Sequence, residues 1–272
     1  MVKTSFLRLL SNIISYSRLK IWQYYYNDKN IIELKLIKGN SAKFYAYGDI
    51  VRFLYCDQLL VDYKRSFEYE TLELFTGLLK PDSIVLDIGA NIGLFSVLAS
   101  KYVTGKGKIY AIEPTTKTFD FLKKNLEINS ISNVEAFKVA FSNTKSLVSM
   151  TPPQHALTSR FGDSFNQIRE ITDPEQNTDT IETSIFDEFI FEQNIKNIDV
   201  IKMDIEGAEL FCLQGATNFL KSPHKPTIIF ECFEPHCEGF GYKVVDVLIL
   251  LENAGYDVKQ YAYFQWIATP KI

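Results

Sequence analysis

Several acidic side chains stand where a run of apolar residues gives out. Asp87 follows 84–86, Glu113 follows 109–112, Asp204 follows 198–203 and Glu231 follows 226–230. The first is followed by a glycine turn, Asp87-Ile88-Gly89-Ala90-Asn91-Ile92-Gly93, and then by the start of a helix. Glycines there let the backbone pass close to a ligand without a side chain intervening. The helix beyond them offers unpaired N–H groups and the positive end of its dipole. Glu113 falls about 20 residues after Gly93, where the acid of a βαβ unit accepts hydrogen bonds from ribose hydroxyls. The set describes a nucleoside-ligand site.

The spacing selects among nucleosides. A dinucleotide fingerprint has the form G-x-G-x-x-G and admits a pyrophosphate at the helix N-terminus. Here an acid precedes the first glycine and Asn91 takes the middle position. Asp87 would repel a pyrophosphate but suits a ligand with an ammonium group. S-adenosylmethionine carries ribose, adenine and an ammonium, and no phosphate. The order acid, glycine loop, acid therefore favours that cofactor, held by Asp87, Gly89, Asn91, Gly93 and Glu113, over the nicotinamide of a dehydrogenase.

The second group is Lys202-Met203-Asp204-Ile205-Glu206-Gly207-Ala208-Glu209. A helix N-terminus favours acids through its dipole, which accounts for one or two of them. It does not account for Asp204 and Glu206 beside Lys202. Methyl transfer from a sulfonium is an in-line displacement, so most of catalysis is holding the acceptor against the methyl carbon. An acceptor hydroxyl is a poor nucleophile and needs a base or a cation to remove its proton. Asp204 and Glu206 are the candidate base or hydroxyl acceptor, with Glu231 nearby. In the alternative, Asp204 and Glu231 share a divalent cation; the metal-free case is favoured, since no third ligand is apparent. His155, in a polar loop, is a further possible base.

These side chains need a frame, and the chain supplies an alternating one. Residues 66–80 have helical spacing, and Pro81 ends them. Helices are then expected over 116–129, 185–192, 208–220 and 244–253, and strands over 134–139, 198–203 and 226–231, with a terminal pair of strands from Tyr256. Continuous apolar strands alternating with helices make a mostly parallel α/β sheet covered on both faces, whose ligands sit beyond the strands' carboxyl ends. Upstream, 31–37 and 42–47 flank Lys38-Gly39-Asn40-Ser41 as a β-hairpin, and 51–56 reads as another short strand. The expected division is an extension over 1–65 and a catalytic domain over 66–272. Residues 151–180 are polar, carry three prolines and show no regular structure, so they read as a disordered loop or as a lid over the acceptor.

With 272 residues, 46% hydrophobic and 23% charged, the chain is an ordinary globular one. Its net charge of −4 gives no basic footprint for nucleic acid. Four cysteines form no disulfide framework, and a cytoplasmic location with reduced thiols is expected. Cys232, His236, Cys237 and His224 match no common zinc spacing. Residues 6–20 fit one face of a basic amphipathic helix that packs on the domain or touches a membrane surface, and they are too interrupted to cross one.

The two blocks together resemble the FkbM family of S-adenosylmethionine-dependent methyltransferases. The resemblance covers about 66–260 and also takes in Tyr69-Glu70, Glu113-Pro114, Ala140-Phe141-Ser142 and Phe230-Glu231. It implies a class I methyltransferase fold, Rossmann-like with seven strands, and most often O-methylation of sugar or polyketide-type hydroxyls. It adds Glu70, Pro114, Ala140, Phe141 and Asp204 to the cofactor residues, and Asp204, Glu206 and Glu231 as the catalytic set. The expected partner is a sugar, glycan or small-molecule acceptor. A non-catalytic nucleotide-binding module, or a metal-assisted enzyme acting on a non-sugar small molecule, are the alternatives.

Overall fold

A computed structural model describes residues 31–45, 69–151, 167–170 and 179–271. The expected strand at 51–56, the helix at 6–20 and His155 lie outside them. A short hairpin, β1 (Ile31–Lys35) and β2 (Ser41–Tyr45), precedes α1 (Tyr69–Leu78). Then follow β3 (Ile84–Ile88), α2 (Leu94–Ser100), β4 (Lys108–Ile112), α3 (Thr116–Ile128) and β5 (Val134–Phe137). Next come β6 (Ala140–Ser142), β7 (Leu147–Thr151), β8 (Gln167–Glu170), β9 (Asp179–Ile185) and α4 (Phe186–Glu192). The last third holds β10 (Val200–Met203), α5 (Glu209–Gln214), α6 (Thr217–Leu220), β11 (Thr227–Glu231), α7 (Glu234–Gly239), α8 (Val244–Asn253), β12 (Tyr256–Ala262) and β13 (Gln265–Pro270).

Seven strands form the main sheet in the order β12-β13-β11-β10-β3-β4-β5. The five from β11 to β5 are parallel, and β13 runs against both its neighbours. The chain builds outward from β3 to β5 and then returns to lay β10 against the other side of β3. That reversal puts the topological switch point of the sheet between β3 and β10, and ligands of such sheets usually bind beyond the strands' carboxyl ends there.

Successive residues of a strand face opposite sides, and both sides here are apolar. Val85, Ile109, Ala111, Val200 and Ile229 face a layer made by α1, α2, α3 and the hairpin. Leu86, Ile88, Ile112, Ile201, Met203, Ile228 and Phe230 face α4, α5 and α8. In the first layer Phe44 of the hairpin and Phe75 of α1 are wholly buried. The hairpin is tied down by Asn125 of α3 and by Asn129, which caps the end of that helix. Asn125 accepts the Tyr45 N–H (2.6 Å), and Asn129 both accepts the Lys43 N–H (2.9 Å) and donates to the Lys43 carbonyl (2.6 Å). These amides serve as the neighbour that the outer edge of β2 would find in a sheet.

Two expectations change. The helix expected over 208–220 is two helices. Gly215 packs so closely on β6 that a Cβ there would lie 2.4 Å from the Ser142 carbonyl oxygen, and the chain turns at that contact. Asp187 then accepts the N–H groups of Asn218 (2.7 Å) and Phe219 (2.9 Å), capping the second helix from outside. The stretch expected to lack regular structure contributes strands at both ends and in its middle. β6, β9, β7 and β8 form a second sheet, in that order. The remainder of 151–180 is outside the described residues. No described helix is long and apolar enough to cross a membrane.

Candidate active site

Strand register puts the expected acids on one face of the sheet. Val200 pairs with Val85, so Lys202 lies beside Asp87, and both point to the α1–α2 side. Ala111 pairs with Asp87, which carries Glu113, two residues on, to the same side. Lys202 pairs with Ile229, and Glu231 follows two residues later. Asp204 continues the alternation beyond the end of β10. An acid–lysine–acid row thus crosses the switch point of the sheet.

Asp87 lies within β3 and is completely buried. Its Oδ2 accepts the Ser96 hydroxyl of α2 (2.6 Å), while Oδ1 has no hydrogen-bond partner among the described residues. Burial raises its pKa, and the nearby Lys202 ammonium pulls the other way. A buried orphan carboxylate oxygen beneath the glycine loop fits a site that receives a polar or cationic group. Lys202 is 6% exposed, lies 3.3 Å from Asp204 Oδ2 and rests over the Phe95 ring at 4.6 Å. A cation fixed by a carboxylate on one side and an aromatic face on the other has little freedom.

The glycine loop is held from below. Gly89 and Ala90 donate N–H groups to the Ile112 carbonyl (2.9 Å each). Gly89, Asn91 and Gly93 all have positive φ (78°, 51° and 93°), which glycine adopts freely and asparagine tolerates. Glu113 is the clamp. Its Oε2 accepts the Asn91 N–H (2.9 Å), and its Oε1 accepts the Thr115 N–H (2.9 Å) and the Thr118 hydroxyl (3.1 Å). Burial raises the Glu113 pKa, and these donors partly offset that. The acid expected to meet a ribose therefore also ties the loop to β4, and any ribose hydroxyl shares the carboxylate with the backbone. Asn125 adds a second tie by donating to the Ile92 carbonyl (2.7 Å).

The residues drawn from the resemblance are placed variously. Pro114 is buried behind Glu113. Ala140 and Phe141 begin β6, and the Phe141 ring packs inward against Phe186 (5.3 Å) and Phe189 (5.1 Å). Only their backbone is left to meet a cofactor. Glu70 is exposed in the first turn of α1. The hydroxyl of the neighbouring Thr71 lies 3.1 Å from that of Tyr261, which is also 3.3 Å from the Gln265 amide oxygen, and the Gln265 NH₂ donates to Glu231 (2.7 Å). This chain sets the start of α1 beside the Glu231 end of the rim.

Glu206 has a left-handed backbone (φ 55°), as does Gly207 (φ 106°), so the segment after β10 turns sharply. Glu206 Oε2 lies 3.1 Å from His236 Nδ1 of α7, a partner sequence reading did not assign to it. Glu209 turns the other way, into the protein. It accepts the N–H groups of Ile205 (3.2 Å) and Gly207 (3.3 Å) and lies 3.3 Å from the Tyr242 hydroxyl, which donates to the Gly207 carbonyl (2.7 Å), and burial pushes its pKa up to about 7. The sulfurs of Cys232 and Cys237 are 3.4 Å apart beside it. His224 is not with them. It bonds the Ile198 carbonyl (3.1 Å) ahead of β10, at the far end of the sheet. The fourfold Cys/His grouping considered from sequence is thus split by the fold. Ser96, Thr118, Asn125 and Gln265 are the site-supporting residues that sequence reading missed. His236 was weighed only with the cysteines and His224, although it stands five residues after the rim acid Glu231.

Comparison with known proteins gives relatives of the same kind. Methyltransferase 1 of Beauveria bassiana is 27% identical over 147 residues, covering 49% of this chain and 58% of that protein. The chain therefore spans somewhat more than half the length of that relative. The hexuronic acid methyltransferase AglP of Haloferax volcanii is 27% identical over 187 residues, 69% of each chain. Methyltransferase sdnD of Sordaria araneosa is 25% identical over 249 residues, 82% of this chain and 89% of that one. The profile of the methyltransferase FkbM domain matches residues 87–258, from the buried Asp87 to the middle of β12. The glycine loop, the acidic rim and the strands from β4 to β11 fall inside that match, and the chain belongs to the FkbM methyltransferase family.

Proposed function

We propose that this methyltransferase moves the methyl group of S-adenosylmethionine to a hydroxyl of a sugar, a glycan or a related natural product. The observation that carries the reading is the row Asp87, Lys202, Asp204 and Glu231 on one sheet face, with Glu113 beneath the glycine loop. Glu113 and the loop over Asp87 would hold the donor's ribose and amino-acid groups. The acceptor lies toward Asp204, Glu206 and Glu231. Asp204 takes the hydroxyl proton, the oxygen forms the new C–O bond, and the C–S bond breaks with its electrons left on sulfur. The product is neutral S-adenosylhomocysteine. A sugar acceptor is supported by AglP, named for a hexuronic acid. The three described cysteines are free thiols, in keeping with a cytoplasmic protein.

A binding module without catalysis would have no use for a carboxylate row beyond the cofactor loop. The test is transfer of labelled methyl from S-adenosylmethionine to a panel of uronic-acid and neutral glycans, with the product located by mass spectrometry. An O-methyl sugar with one S-adenosylhomocysteine per turnover is the expected result. Tight S-adenosylhomocysteine binding with no transfer to any hydroxyl in the panel would overturn the sugar assignment.

A further inference from the structure

We propose that Glu206, Glu231 and His236 form a binding site for a divalent cation of the Mn²⁺/Mg²⁺ kind on the acceptor side of the crevice. Its place in catalysis rests on the reading above, while its existence does not. One ligand atom from each of the three side chains lies within 4.8 Å of the other two. An octahedral ion at about 2.1 Å sets neighbouring ligands roughly 3 Å apart and opposite ones roughly 4.2 Å apart. Donors already this close reach such a geometry by small side-chain rotations. The Glu206–His236 separation of 3.1 Å matches the neighbouring-ligand distance as it stands.

The supports come from different parts of the chain and converge. Glu206 sits on the turn after β10, Glu231 ends β11, and His236 lies on α7. Glu231 is oriented by Gln265 (2.7 Å), which is held in turn by Tyr261. Hydrogen bonds of this kind, made to a ligand by residues behind it, accompany metal-binding carboxylates. The Glu206 and His236 side chains are 13% and 16% exposed, so the pair is shielded without being closed to a substrate. Two carboxylates and one imidazole suit Mn²⁺ and, more weakly, Mg²⁺, and none of the three is a thiolate that would favour softer ions. The cation pair considered from sequence, Asp204 with Glu231, is replaced. Asp204 is engaged by Lys202, and its neighbour two residues on joins Glu231 instead.

Three protein ligands leave octahedral positions for water and for an acceptor hydroxyl. Bound there, the hydroxyl gives up its proton more readily to Asp204, and its oxygen is held for in-line attack.

The test needs neither cofactor nor acceptor. Chelator-stripped full-length protein is titrated with Mn²⁺, and the free-ion signal is followed by electron paramagnetic resonance. One saturable ion per chain is expected, with Glu231→Gln and His236→Ala each weakening it at least tenfold and His224→Gln leaving it unchanged. Should a variant misfold, the parent protein still decides the matter, because a directly bound imidazole gives a nitrogen coupling in the pulsed spectrum of bound Mn²⁺. Absence of saturable binding, or binding without nitrogen coupling and indifferent to both variants, overturns the site. Loss of methyl transfer in His236→Ala without any Mn²⁺ binding would also overturn it, leaving a carboxylate–imidazole pair that acts alone. If the cation binds and no sugar is methylated, only the acceptor assignment fails.

Discussion

A Cβ on Gly89 would stand 1.8 Å from the carbonyl oxygen of Asp204 and 3.1 Å from the Ile205 side chain. The glycine loop after β3 and the acidic turn after β10 are thus in backbone contact. The two sequence blocks that define the site meet at this point. Gly89 serves the protein's own packing here, apart from any approach of a ligand.

Gly89→Ala is accordingly expected to destabilise the fold as well as the site. The obstacle is backbone, and φ is 78°, so neither partner yields cheaply. A loss on the order of 3 kcal/mol or more is expected, read as a lowered urea midpoint. A variant as stable as the parent would show that β3 and β10 separate easily at their carboxyl ends.

Glu113→Gln tests the clamp. One carboxylate oxygen becomes an NH₂ group facing a backbone N–H, of either Asn91 or Thr115. Setting donor against donor leaves a buried group unpaired, at about 1–3 kcal/mol. Calorimetry should show S-adenosylhomocysteine binding weakened by about tenfold or more. Undiminished affinity would remove Glu113 from the cofactor site.

Asn125→Ala should affect two distant features at once. The buried amide joins the Ile92 carbonyl of the glycine loop to the Tyr45 N–H of the hairpin. Losing both bonds is expected to cost about 2–4 kcal/mol of stability. Hydrogen exchange should rise at the amides of both the loop and β2. Exchange that rises in only one of them would show that the two are not coupled through α3.

Glu209 gives stability a pH dependence of known sign. Its pKa is raised in the folded protein to about 7, from an ordinary value of 4.5. Between those values the folded state keeps a proton that the unfolded chain has released. Its contribution is therefore fully present below about pH 4.5 and is lost as pH rises through about 7. Glu209→Gln resembles the protonated form and can still pair with Tyr242. At pH 8 it should be more stable than the parent by on the order of 1–3 kcal/mol, with the difference vanishing toward pH 4.5. An equal or lower midpoint at pH 8 would refute the raised pKa.

The sequence by itself determined the alternating frame and where its strands end. Apolar runs such as 84–86 and 198–203 can be stable only inside a covered sheet, and the acids that follow them must fall at its rim. The glycines and the acid after β4 likewise specify the form of the loop through local geometry alone. Register and strand order decided the rest, because a side chain's partner across the sheet is set by how strands pair, not by distance along the chain. Asp87 is buried beside Lys202 because β10 lies next to β3 with Val200 opposite Val85. Phe141 faces the core because β6 packs against α4. Glu206 meets His236 because the turn after β10 and the helix after β11 stand side by side at one rim, with the order of neighbouring strands fixed only when the sheet assembles.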